Sequence, residues 1–96
     1  MDVITNGNRI TVVGQVAKFD DYDKVKLAVE AVKAEGSGQV SIEFRDAQSL
    51  ISALIGYLIK LVKVDRISLT VVAGNPTLHG MLDTLALIDV LNVKKG

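Results

Sequence analysis

Apolar and polar residues alternate along this chain with two different periods, and the switches between them mark its elements. Val3 to Thr5 and Arg9 to Val16 are β-rich runs on either side of Asn6-Gly7. An Asn-Gly pair suits a type I′ turn, whose two central residues both take positive φ, so the opening reads as a β-hairpin. The period then lengthens. Tyr22, Val25, Val29 and Val32 recur at helical spacing, with Asp23, Lys24, Lys26, Glu30 and Lys33 on the solvent side. Asp20 or Asp21 is placed to cap that helix. Gly36-Ser37-Gly38 ends it and turns the chain. Alternation returns from Val40, where Val40, Ile42 and Phe44 interleave with Ser41, Glu43 and Arg45 to give a strand.

A polar turn, Arg45 to Gln48, leads into a second helix that runs to about Val64. Leu50, Ile51, Leu54, Ile55, Tyr57, Leu58, Leu61 and Val62 exceed what a one-sided stripe of ~100° requires. Asp65-Arg66 makes the next turn, and the β-branched run Ile67 to Ala73 reads as a buried strand. Gly74-Asn75-Pro76 is a loop in which Pro76 takes the first position of a third helix, with Leu78, Met81, Leu82 and Leu85 as its apolar stripe. Val90 to Val93 closes the chain as a short strand. The order is ββαβαβαβ over a single domain, residues 1–96. This predicts an α/β fold with a mostly parallel mixed sheet, an N-terminal hairpin at its edge and three main helices.

Composition narrows the function classes. The chain has 96 residues and no cysteine, which excludes disulfides, thiol catalysis and cysteine-ligated zinc. Eleven basic and eleven acidic residues cancel, and no basic block precedes Lys94-Lys95, so nucleic-acid binding lacks electrostatic support. Hydrophobic residues make up 49% and aromatics 4%, a balance suited to a parallel-sheet core and unsuited to base stacking. No leader-like N-terminus stands out, and the longest apolar run, Leu50 to Leu58, falls short of the ~20 residues of a membrane span. A cytoplasmic protein without membrane insertion is expected. His79 has no ligand companions, and Asp20, Asp21 and Asp23 suffice as partners of a helix dipole. No catalytic constellation assembles and no cofactor is called for, so the expected function is non-enzymatic.

Several local signatures, taken in order, point to a family. Ile10-Thr11-Val12-Val13-Gly14 is a strand ending in glycine ahead of the first helix. Ile42-Glu43-Phe44 closes the central strand, Ser52-Ala53-Leu54-Ile55-Gly56 opens the apolar helix, and Asn75-Pro76 is followed by Leu82 and Ala86-Leu87. Over nearly the whole chain this resembles the STAS domain (a SpoIIaa-like fold) of sulphate transporters and anti-sigma-factor antagonists. The resemblance implies a switch motif at Ser52 to Gly56, commonly Asp-Ser followed by a second small or hydroxyl residue and glycine. Here the acid is replaced by Ile51, the second hydroxyl by Ala53 and the next glycine by Leu54. The usual phospho-switch is therefore expected to be absent or altered.

Ser52 has two readings. Its hydroxyl caps the apolar helix, a role for which Ser49 competes, or it accepts a phosphoryl group at a helix start that favours anions. Capping is the expected reading. Ile51 and Leu54 either bury or form an apolar patch for a partner, and the apolar excess of the helix favours the patch. The expected contact face comprises Gln48, Ser49, Ile51, Ser52, Ala53, Leu54 and Gly56. By resemblance, the partner is an anti-sigma kinase or a phosphatase in a partner-switching pathway that regulates transcription. The alternative is the ATPase subunit of a lipid-transport ABC system, since accessory STAS-like subunits of that kind resemble the Ser-Ala form. A lipid or small molecule beneath the apolar helix is a third option, and the sequence is compatible with a homodimer.

Overall fold

The order of strands and helices is as the periods predict, with the second strand ending at Val13, short of Val16. The structure, a computed structural model, describes residues 1–36 and 38–96. Among them the elements are β1 (Asp2–Asn6), β2 (Arg9–Val13), α1 (Phe19–Ala34), β3 (Gln39–Phe44), α2 (Ser52–Lys63), β4 (Ser68–Ala73), α3 (Pro76–Thr84) and β5 (Val93–Lys95). Ser37, the centre of the expected glycine-flanked stop, lies outside the described residues. Gly36 and Gly38 beside it have φ of 83° and 71°, a region that glycine enters without steric cost.

The strands form one five-stranded sheet in the order β1-β2-β3-β4-β5. β1 pairs with β2 antiparallel, and the remaining pairs are parallel. Because strand order follows chain order, right-handed crossovers all advance in one direction and leave their helices on one face. Burial agrees. Ile10, Ile42, Val71 and Val93 lie in register across the sheet and are buried, as are Val12, Phe44 and Ala73. The alternate row, Thr11, Glu43, Val72 and Lys94, stays half-buried or exposed. The core is thus a single layer between sheet and helices, closed by Val25, Val29 and Val32 of α1, Leu54, Leu58 and Leu61 of α2, and Leu78 and Leu82 of α3.

Four local readings are corrected. The hairpin turn centres on Gly7-Asn8, because Asn6 pairs with Arg9. Gly7 alone takes positive φ (62°), which fits the glycine-first type II′ turn and not type I′. The N-cap of α1 is Lys18, and Asp21 sits three residues in, where its carboxylate accepts from the Ala17 and Lys18 backbone N–H groups at 3.0 and 3.1 Å. That is the acidic half of a capping box, and the two N–H bonds, Ala17's first, hold the Asp21 carboxyl below its ordinary range. The last strand begins at Val93 and not at Val90. Residues 88–92 are taken up by turns that end at Asn92, whose φ of 48° asparagine tolerates. Leu85 falls just beyond α3 and is 49% exposed, so it leaves the predicted stripe. At the other end of α3 Pro76 takes its expected place, and Asn75 caps the helix by accepting from Thr77 N–H at 2.8 Å. Among the described residues, no helix is long and apolar enough to cross a membrane.

Candidate functional site

The turn between β3 and α2 sits at the carboxyl end of the central strand, flanked by the ends of β2 and β4. Backbone bonds tie it to both neighbours. Arg45 N–H donates to Val12 O at 3.0 Å, and Gly74 N–H donates to Phe44 O at 2.9 Å. Two side chains extend the tie. Asp46 Oδ2 accepts from Gly14 N–H at 2.8 Å. The Gln15 amide donates to Asp46 O at 2.9 Å and accepts from Gln48 N–H at 3.1 Å. Ala47 and Leu50 are buried beneath the turn and anchor it from below.

The start of α2 is uncapped. Its N-cap residue is Ile51, in extended conformation, with no side-chain acceptor for the first turn. This corrects the capping reading of both serines. Ser52 is the first helical residue, exposed, and its hydroxyl has no partner among the described residues. Ser49 Oγ instead donates to Met81 Sδ of α3 at 3.2 Å.

The apolar patch is corrected as well. Leu54 is 0% exposed, and with Tyr57, Leu58 and Leu61 it forms a regular buried stripe. Ile51, Ile55, Ile59 and Val62 pack partly buried against the core along its flanks, which accounts for the apolar excess. Of the expected contact residues, Gln48, Ser49, Ser52 and Gly56 are exposed, and Ile51 and Ala53 are half-buried. The structure thus leaves these six exposed or half-buried and withdraws Leu54.

A second constellation lies where α1 meets α2. Tyr57 OH donates to Glu30 Oε2. Lys33 Nζ lies 3.3 Å from Glu30 and 3.0 Å from Asp65, and Lys60 Nζ lies 3.5 Å from Asp65. The Tyr57 bond is the main cause that holds the Glu30 carboxyl below its ordinary range, and Lys33 does the same for Asp65. In return the bond to Asp65 raises the Lys33 ammonium, while burial and then Glu30 raise the Tyr57 phenol. Phe19, Tyr22 and Tyr57 stand edge to face in sequence, with centroids 5.9 and 6.1 Å apart. Lys26 Nζ lies 5.9 and 5.7 Å from the Tyr22 and Tyr57 rings. Between the helices is an open groove of about 430 Å³ lined by Tyr22, Lys26, Glu30, Gly56, Tyr57 and Lys60.

His79, half-buried in α3, lines a separate cavity of about 270 Å³ with Gly74, Pro76, Gly80 and Lys95 at the ends of β4 and β5. Sequence reasoning missed the Gln15–Asp46 tie, because its partners are over thirty residues apart. It also read Glu30, Lys26 and Lys33 only as a solvated face. The one available signal for the groove was Gly56, a glycine inside an otherwise strongly helical run.

No protein-family model, curated protein or solved structure matches the chain. What the structure establishes is an α/β fold built on a five-stranded mixed sheet with three helices among the described residues.

Proposed function

We propose that this chain is a STAS-like, non-enzymatic module of the cytoplasm that works by binding another protein, as an anti-sigma-factor-antagonist-like regulator in a partner-switching pathway. The observation that carries the reading is the exposed, uncapped start of α2, held at the carboxyl end of the central strand by Asp46 and Gln15. The contact face is Gln48, Ser49, Ile51, Ser52, Ala53 and Gly56. Leu54 supports the face from within the core. The partner, as the resemblance implies, is an anti-sigma kinase or a phosphatase. Ala53 offers no hydroxyl, so the module binds constitutively unless Ser52, which is accessible, is modified.

Affinity capture with a tagged chain and with its Ser52→Arg variant tests the reading. The expected result is a histidine-kinase-like ATPase or a phosphatase retained by the parent and lost by the variant. Retention of the same partner by both proteins overturns the contact face. A second reading is favoured by the Ser52-Ala53 pair, which resembles the form found in accessory subunits of lipid-transport ABC systems. In that case the captured protein is an ABC ATPase subunit. Intact-mass measurement after incubation with the captured kinase decides the control mechanism, since stoichiometric phosphate on Ser52 contradicts constitutive binding.

A further inference from the structure

The groove between α1 and α2 contains one cation, Lys26, outside the ion pairs among the described residues. Lys33 and Lys60 are paired with Asp65, and Lys33 also with Glu30. Lys26 makes no ion pair among the described residues. Its ammonium is held instead over the Tyr22 and Tyr57 rings, whose negative faces attract it. Glu30, the one carboxylate in the lining, is already engaged by the Tyr57 hydroxyl and Lys33. The groove therefore offers net positive charge beside the half-buried Tyr22 ring.

Gly56 adds a second, independent observation. It is exposed in the middle of α2, and a Cβ built there meets nothing within 4 Å. Packing does not call for glycine at this position, and helix propensity disfavours it more than any residue except proline. What glycine leaves is open space in the lining of the groove.

We infer that this groove is a docking site for an acidic segment of a partner protein, with a carboxylate paired to Lys26 and a neighbouring apolar side chain lying over Gly56 beside the Tyr22 ring. The site stands apart from the contact face at the start of α2 and shares only Gly56 with it.

The test is an amide NMR titration with three synthetic hexapeptides: one alternating aspartate and leucine, one with asparagine in place of aspartate, and one with lysine in that place. The expected result is saturable shifts at Lys26, Gly56, Tyr57 and Lys60 with the acidic peptide alone. Lys26→Glu, an exposed substitution, is expected to weaken binding at least tenfold at unchanged melting temperature. Gly56→Leu is expected to weaken binding while the melting temperature holds or rises, a pairing that a purely structural glycine would not give. Equal binding of the asparagine or lysine peptide overturns the proposal. So do shifts confined to other surfaces, the absence of saturable shifts, or full affinity in Lys26→Glu.

Discussion

Asp46 Oδ2 accepts a hydrogen bond from the Gly14 backbone N–H at 2.8 Å, joining the end of β2 to the turn that precedes α2. Gln15 doubles the join by bonding both sides of that turn. A contact face whose backbone is fixed before binding has less ordering entropy to lose on association. Asp46→Ala is therefore expected to lower stability by about 1 kcal/mol, since it removes a charge-assisted bond that is open to water. It should weaken partner binding by more than this loss of folded protein explains. Urea unfolding measures the first effect, and calorimetric titration with the captured partner measures the second. Unchanged affinity would show that the turn does not need its latch.

Gly74 is constrained by close backbone approach. A Cβ built there would lie 2.8 Å from Arg45 O and 3.0 Å from both Arg45 Cα and Phe44 O. None of these atoms belongs to a side chain that can swing away. Gly74→Ala is expected to push β4 away from the turn after β3 and to cost about 1–3 kcal/mol, as overpacking does elsewhere. Gly56→Ala, with nothing within 4 Å of its Cβ, is expected to stabilise α2 by up to about 1 kcal/mol. Thermal unfolding of the two variants side by side checks the opposite signs.

Ser52 and Leu54 separate binding from folding. Leu54 is fully buried against the sheet, so Leu54→Ala is expected to cost about 2–5 kcal/mol. Ser52 is exposed and its hydroxyl bonds nothing among the described residues, so Ser52→Ala should change stability by less than about 0.5 kcal/mol. Placing a capping acceptor one residue earlier tests the missing cap directly. Ile51→Asp is expected to strengthen the start of α2 by about 1 kcal/mol, offset by the partial burial that Ile51 loses. A net gain in melting temperature would identify the uncapped start as a stability sacrifice.

These contrasts also mark what the sequence could convey. Strands β2, β3 and β4 and helix α1 are legible because Val12, Ile42, Val71 and Val29 sit in strict periods of two or 3.6 residues, and burial on one side is all that such periods encode. Pro76 and Asn75 are legible for a similar reason, since each acts within its own turn. The partners of Gln15 and Asp46 are not, because they meet only once β2 and β3 align in the sheet. Leu54 was ambiguous because α2 has apolar residues on its flanks as well as its buried stripe. Only packing shows that Ile51 and Ile55 end up half-covered while Leu54 disappears. Val90 reads as a strand residue because β-branched propensity cannot register that the turn before Asn92 uses up those residues.

The Tyr57–Glu30–Lys33–Asp65 cluster is expected to make stability depend on pH at both extremes. Glu30 and Asp65 are held below the ordinary carboxylate range, chiefly by the Tyr57 hydroxyl and by Lys33 respectively. On acidification the unfolded chain takes up protons at these groups before the native state does. Their contribution is therefore complete above the unfolded carboxylate range, about pH 4, and is lost as pH falls through the lower native values. The alkaline side has the reverse sign. Burial and Glu30 raise the Tyr57 phenol, and Asp65 and Glu30 raise Lys33. Their contribution is present below the unfolded values, about pH 10, and is lost as pH climbs through the native ones. A melting-temperature profile should be flat between these limits and fall on either side. Asp65→Asn is expected to flatten the acid limb. Tyr57→Phe should flatten the alkaline limb, shorten the acid one by freeing Glu30, and cost about 1 kcal/mol at neutrality through the lost hydrogen bond. Because these charges are partly solvated, 0.5 M salt, taken as roughly half the ionic strength at which screening acts over ~3 Å, should shrink the Asp65 effect more than the Tyr57 effect. Parallel acid limbs in the parent and Asp65→Asn would remove this cluster as the source of acid sensitivity.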